Sequence, residues 1–303
     1  MVASAGQSLA ARDDAPVAFL ALVAGAVAMG ISPIFVRFAD VGPFASAFWR
    51  AGLALPALWV WMRLEKRRDP VAKAPPSRGA IVAVVAAGLL FAGDLTFWHL
   101  SIMNTTVANA TFLAVLAPVW VVLGSRLFLG ERVERRVLVG LALCLLGAGA
   151  LIGNSVAFRP EQVLGDVYGL ITSIFFGAYF IAMRLARRAY GSGRALFGSS
   201  LVTAGVLGVQ AFAVEPYLWP ATVGGIGALV ALALVSHAGG QGLLAYALGH
   251  LPAAFSSLVI FLEAVAGAFF GWAILSEAVG AYQFVGAAAI FAGIAFARMR
   301  QAK

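Results

Sequence analysis

The chain has 303 residues, of which 62% are hydrophobic and 11% charged, with a mean hydropathy of +0.95. A water-soluble protein carries about 25% charged residues, so the bilayer is the solvent for most of this chain. The formal charge of +8 does not point to nucleic acid, because the cations fall in short loops between apolar segments and read there as topology signals.

Residues 1–16 are polar and are expected to form a disordered cytoplasmic tail. The apolar segment that follows is too long for a signal-peptide core and reads as a retained first span. A membrane helix needs about 20 mostly apolar residues. Ten segments qualify, at 17–36, 43–62, 79–99, 104–124, 137–153, 165–184, 195–214, 223–247, 253–275 and 281–298. Many are rich in Gly and Ala, which lets helices approach closely where lipid supplies no driving force. Cys144, the single cysteine, lies inside the fifth segment, so there is no disulfide framework and no thiolate metal site.

The cations fix orientation. With the N-terminus inside, the two tails and the loops at 63–78, 126–136 and 184–194 carry eighteen of the 21 Lys and Arg. The opposite side has only Arg37 and Arg159, and Arg50 lies inside a span. This bias predicts cytoplasmic N- and C-termini and an even number of spans.

The chain also repeats itself. Shifted by 146 residues, the stretch Leu116–Gly147 matches at nine of 32 positions: Leu116/Leu262, Val119/Val265, Leu129/Leu275, Glu131/Glu277, Val133/Val279, Val139/Val285, Gly140/Gly286, Ala142/Ala288 and Gly147/Gly293. Chance would give roughly three. Gly30 to Ala39 faces Gly177 to Ala186 at an offset of 147, with Arg37 against Arg184. The expected organisation is therefore an all-α membrane protein of ten transmembrane helices in two five-helix repeats, 17–153 and 154–300. Five is odd, so the second repeat is inverted, as in secondary transporters.

Polar groups inside the spans are functional candidates, since an ionisable side chain costs roughly 2.5–3.5 kcal/mol at the bilayer centre on insertion scales. Arg50, in span 2, either caps backbone carbonyls or binds an anion. Asp94 and Trp98 share a face of span 3, and His99 follows near its outer end. Glu263 is central in span 9, on one face with Ser256 and Ile260, and suits a proton-carrying or amine-binding group. His237 and Gln241 stand one turn apart in span 8 among small residues; an interhelical hydrogen bond is the simpler role for the histidine. Tyr168, Thr172, Phe175, Phe176 and Tyr179 form a stripe in span 6, either packing or cavity lining. Asn109 in span 4 and Ser257 in span 9 complete a candidate cavity lined by spans 1, 3, 4, 6, 8 and 9. The candidate substrate-binding set is thus Trp98, His99, Asn109, Phe176, Tyr179, His237, Gln241 and Ser257. Asp94, Glu263 and Arg50 are the candidate intramembrane charges. Glu131 and Glu277 end their spans on opposite faces and read as caps or partners of local arginines.

Enzyme motifs are absent. There is no GxxxxGK[ST] loop, no HExxH and no dense Asp/Glu cluster, so neither ATP hydrolysis nor a bound metal is expected, and no cofactor is called for.

The stretch from Asn104 to Arg132, with Pro118 followed by Leu-Gly-Glu at 129–131 and Gly140 beyond, resembles the EamA repeat of the drug/metabolite transporter superfamily. Phe48-Trp49-Arg50 resembles its second-span arginine motif. The resemblance covers nearly the whole chain, and within the superfamily it is nearest to aromatic amino acid exporters of the YddG type. One departure is Ala264 at the position of Pro118, so the second copy lacks that kink or takes it from Gly267. The resemblance implies a bacterial inner-membrane carrier that exports small amphipathic metabolites, aromatic and other apolar amino acids first, by alternating access, with protons as a candidate coupling ion. The alternatives are a lipid-linked carrier or membrane enzyme, which needs a carboxylate or histidine cluster at one leaflet, and a uniporter of a different metabolite.

Overall fold

The computed structural model describes residues 15–68, 77–105, 107–152, 160–276 and 280–298; the side chains of residues 68, 107–109, 111 and 152 lie outside it. The predicted tail, up to residue 14, and Glu277 therefore lie outside the described residues. The helices are α1 (Ala15–Gly30), α2 (Ser32–Phe38), α3 (Pro43–Gly52), α4 (Leu55–Arg68), α5 (Arg78–Asn104), α6 (Val107–Ala114), α7 (Ala117–Gly124), α8 (Arg135–Ile152), α9 (Val163–Arg187), α10 (Ser192–Val214), α11 (Val223–Ala231), α12 (Gly242–Ala247), α13 (Ala253–Val259), α14 (Phe261–Leu275) and α15 (Ala281–Arg298). A π-helical stretch, Ser125–Leu129, prolongs α7, and another, Leu232–Gln241, joins α11 to α12.

Among the described residues, eight stretches are long and apolar enough to cross a membrane: Ala15–Phe38, Arg78–Asn104, Phe112–Leu129, Pro160–Arg187, Ser192–Val214, Val223–Ala247, Ala253–Leu275 and Ala281–Arg298. The other two segments expected from the sequence are present as helices of different character. The second bends at Leu53–Ala54 and its latter half, α4, ends in Arg63, Lys66, Arg67 and Arg68; the fifth, α8, opens on Arg135 and Arg136.

Several long helices are broken in mid-course. Pro33 sits in the first turn of α2 and Pro118 in the first turn of α7, and a proline lacks the N–H and crowds the carbonyl four residues back. Leu116 N bonds Leu113 O at 3.2 Å and Val119 N bonds Leu116 O at 2.9 Å, a tight turn in place of the helical ladder. The second copy breaks as well, without a proline. Ile260 N bonds Ser257 O at 3.2 Å and Glu263 N bonds Ile260 O at 2.8 Å. The kink is neither absent nor at Gly267: it falls at Ile260, two residues before the position aligned with Leu116.

The repeat reappears in the packing. A Cβ on Gly140 would stand 2.7 Å from the Gly293 carbonyl oxygen, and one on Gly293 2.7 Å from that of Gly140. The Gly147 and Gly286 pair gives 2.7 and 2.5 Å. Residue 140 meets 293 and 147 meets 286, so α8 and α15 run antiparallel, with backbones in contact where only hydrogens fit between them. These are the two glycine pairs of the sequence repeat, crossed over.

Carboxylate caps show the same reciprocity. Glu65, near the end of α4, accepts hydrogen bonds from Ser192 N and Gly193 N at 2.7 and 3.0 Å, at the start of α10. Glu215, just past the end of α10, accepts from Phe44 N and Ala45 N at 2.7 and 3.4 Å, at the start of α3. Each satisfies orphan N–H groups at the positive end of the partner helix.

Candidate substrate site

A cavity of about 410 Å³ lies where the broken helices meet, a size suited to a small metabolite. Gly30 and Ser32, Val115 and Ala117, and Ile260 and Phe261 flank the three breaks and all line it. Irregular backbone inside a membrane is tolerated where it borders a cavity, and substrate sites of secondary transporters sit at such discontinuities. The mouth is marked by Arg37, Leu275 and Gln283, at helix ends on the side opposite the arginine-rich loops. The arginine-rich end is closed: Leu251, Phe255, Leu258 and Val259 are buried there. Glu131 bolts that end, accepting from Arg184 Nε at 2.8 Å and from Ala253 N, at the start of α13, at 2.9 Å.

Three charged side chains line the interior. Arg50 from α3 and Asp94 from α5 are buried, and Glu263 from α14 is half-buried. The Arg50 guanidinium lies 5.8 Å from the centroid of the Phe91 ring, and its Nε has no hydrogen-bond partner among the described residues. Trp98, Phe176 and Gln241 also line the cavity. The sequence-derived candidates brought together here are therefore Arg50, Asp94, Trp98, Phe176, Gln241 and Glu263.

The others stand behind the wall. Tyr179 is buried, and its hydroxyl donates to Gln241 Oε1 at 3.1 Å. His237 is fully buried, with Nε2 2.8 Å from Ser200 Oγ and its ring 5.6 Å from that of Phe91. The Nδ1 of His99 lies 2.5 Å from the Leu95 carbonyl oxygen, one turn back in its own helix. Ser257 donates to the Ala254 carbonyl at 2.9 Å, in the closed floor. The Asn109 side chain lies outside the described residues. The span 6 stripe divides: Thr172 and Phe176 face the cavity, whereas Tyr168 and Phe175 pack on Phe97 with ring centroids 6.0 and 5.4 Å away.

The expected lining from spans 1, 3, 4, 6, 8 and 9 is joined by Arg50 of span 2, Ala148 of span 5 and Gln283 of span 10. Phe91 was not among the sequence candidates. Its spacing from Asp94 and Trp98, three and seven residues, put it on their helical face and was the available signal. Among the described residues there is no group of His, Cys, Asp and Glu that could hold a metal ion.

The profile of the EamA-like transporter family matches residues 16–153 and 163–299. The chain belongs to the EamA-like transporter family. Its relatives are named as transporters. The pseudopaline exporter CntI of Pseudomonas aeruginosa is 29% identical over 231 residues, 74% of this chain and 78% of that protein. An uncharacterized transporter of Archaeoglobus fulgidus is 26% identical over 278 residues, 91% and 94% of the two chains. A protein of known crystal structure shares the fold with a TM-score of 0.78 at 21% identity, covering 94% of this chain and 97% of that one. The chain is thus a multi-pass membrane protein of a transporter family.

Proposed function

We propose that the protein is a secondary transporter of the bacterial inner membrane that exports small amphipathic metabolites by alternating access. The observation that carries this is the cavity itself: a single space lined by Arg37, Arg50, Asp94 and Glu263 at the meeting point of broken helices, reaching helix ends on one face and backed by buried side chains on the other. The crossed Gly140–Gly293 and Gly147–Gly286 contacts and the reciprocal Glu65 and Glu215 caps support ten spans in two inverted halves, with the cavity between them. The cation bias supports cytoplasmic termini; on that reading the open mouth faces outward and the Glu131 bolt faces inward.

Aromatic and other apolar amino acids are the first cargo to examine, because Phe91, Trp98 and Phe176 supply flat apolar walls. The relative named as a pseudopaline exporter supports outward movement of the cargo. Glu263 is the proposed coupling group: a carboxyl bordering the cavity that exchanges a proton as cargo leaves.

The test is export from cells loaded with a toxic phenylalanine analogue, paired with proteoliposomes challenged by a panel of amino acids and other metabolites. Resistance at confirmed expression and saturable transport of a panel member are expected. Equal sensitivity together with no transported panel member contradicts the reading.

A further inference from the structure

Resting on the reading of this cavity as the transport site, we propose that it is a two-ended receptor for an amino-carboxylate. The cargo carboxylate docks on Arg50 and Gln241, and its ammonium lies between Asp94 and Glu263. The cargo class is then set by the zwitterionic head, not by the side chain: amino acids and amino-acid conjugates are taken, whereas simple amines and simple acids are refused.

The anion end centres on Arg50. Arg50 is over nine-tenths buried, borders the cavity, and keeps an Nε–H without a partner among the described residues. A buried guanidinium N–H that the protein does not satisfy is costly unless a ligand satisfies it, and the planar fork matches a carboxylate. The Phe91 face beneath it restrains the guanidinium. Gln241 adds a second donor. Its Oε1 accepts from the Tyr179 hydroxyl at 3.1 Å, which leaves the amide NH₂ as the group it offers to the cavity.

The cation end comes from two other helices. Asp94 on α5 and Glu263 on α14 line the same space, and ionised carboxylates only accept. An ammonium with three donors suits two acceptors on separate helices. Pairing each pole of the cargo with an opposite charge also removes the cost of leaving a single charge unmatched away from water. The Phe91, Trp98 and Phe176 rings are left for the remainder of the molecule, which explains why apolar walls and charges of both signs share one small cavity.

The experiment is calorimetric binding to the purified full-length protein with matched probes: L-phenylalanine, 2-phenylethylamine and 3-phenylpropionate, then L-leucine, 3-methylbutylamine and 4-methylpentanoate. The zwitterion of at least one set should bind at least tenfold tighter than both of its partners. Arg50→Gln should reduce that amino acid to the affinity of its amine. Asp94→Asn with Glu263→Gln should reduce it to the affinity of the acid. The wild-type comparison stands even where a variant fails to fold. Amine or acid binding within threefold of the zwitterion, or no amino acid bound in either set, overturns the receptor. Saturable transport of some other metabolite would then leave the exporter reading intact. Zwitterion-selective binding with no transport of any panel member would sink the exporter reading alone.

Discussion

Glu131 and Arg184 meet with 2.8 Å between carboxylate oxygen and Nε, joining the end of the fourth span to the end of the sixth. The same carboxylate holds the first N–H of α13, so one side chain ties three helices at the closed end of the cavity. Arg184 also donates to the Leu248 carbonyl, and Arg188 to that of Leu129. A part-exposed ion pair is worth about 0–1 kcal/mol, with more from the charge-assisted bond to Ala253.

Replacing Glu131 with Gln should therefore favour opening at the arginine-rich end. A loss of about 1 kcal/mol moves a two-state population about fivefold. Thiol labelling of Ser257→Cys in a Cys144→Ser background should accelerate by about that factor from the arginine-rich face. An unchanged rate would show that the bolt does not hold the closed state.

Two residues in matching positions end their helices in the left-handed region: Gly130 at φ 67° and Ser276 at φ 56°. For a non-glycine residue that conformation costs about 1–2 kcal/mol. Ser276→Gly should raise the thermal unfolding midpoint in detergent, and Gly130→Ser should lower it. Opposite shifts would remove the argument from backbone strain.

The glycine crossings should tolerate no side chain. Gly147→Ala and Gly286→Ala each place a methyl 2.5–2.7 Å from a carbonyl oxygen. Overpacking of this kind costs about 1–3 kcal/mol. Gly205 in α10 is the control: a Cβ there meets nothing within 4 Å, so Gly205→Ala should be neutral or stabilising by up to about 1 kcal/mol from helix propensity. Equal effects at all three positions would show that α8 and α15 are not in backbone contact.

Coupling is tested at Glu263. Glu263→Gln should abolish stimulation of transport by a pH gradient while substrate exchange persists at raised substrate concentration. A gradient response equal to wild type removes Glu263 from coupling, and a wild type indifferent to the gradient is a uniporter.

Much of the architecture was readable because hydrocarbon imposes it. The last predicted span, 281–298, coincides with α15, and the 223–247 segment with α11 through α12. Contacts between distant residues left no local trace. The Glu65 and Glu215 caps join residues more than 120 apart and fall outside the stretch of strongest self-similarity. The break at Ile260 has no proline to announce it. At the site, Asp94 and Glu263 were legible because a charge stands out in an apolar span, and Trp98 because it shares the face of Asp94. Ser257 and His99 do not line the cavity. A polar atom in a span can turn to a carbonyl of its own helix, as Ser257 Oγ does to Ala254 and His99 Nδ1 to Leu95, and need not face a cavity. His237 found Ser200 on another helix, a partner that spacing alone does not reveal.

Counterflow in proteoliposomes tests alternating access most directly. Vesicles are loaded with one unlabelled member of the amino acid and metabolite panel at a time and given the same labelled compound outside. An alternating carrier predicts a saturable, transient overshoot of label for at least one panel member, absent from protein-free vesicles. Linear, non-saturating entry of label, or no difference from protein-free vesicles for every panel member, would contradict it.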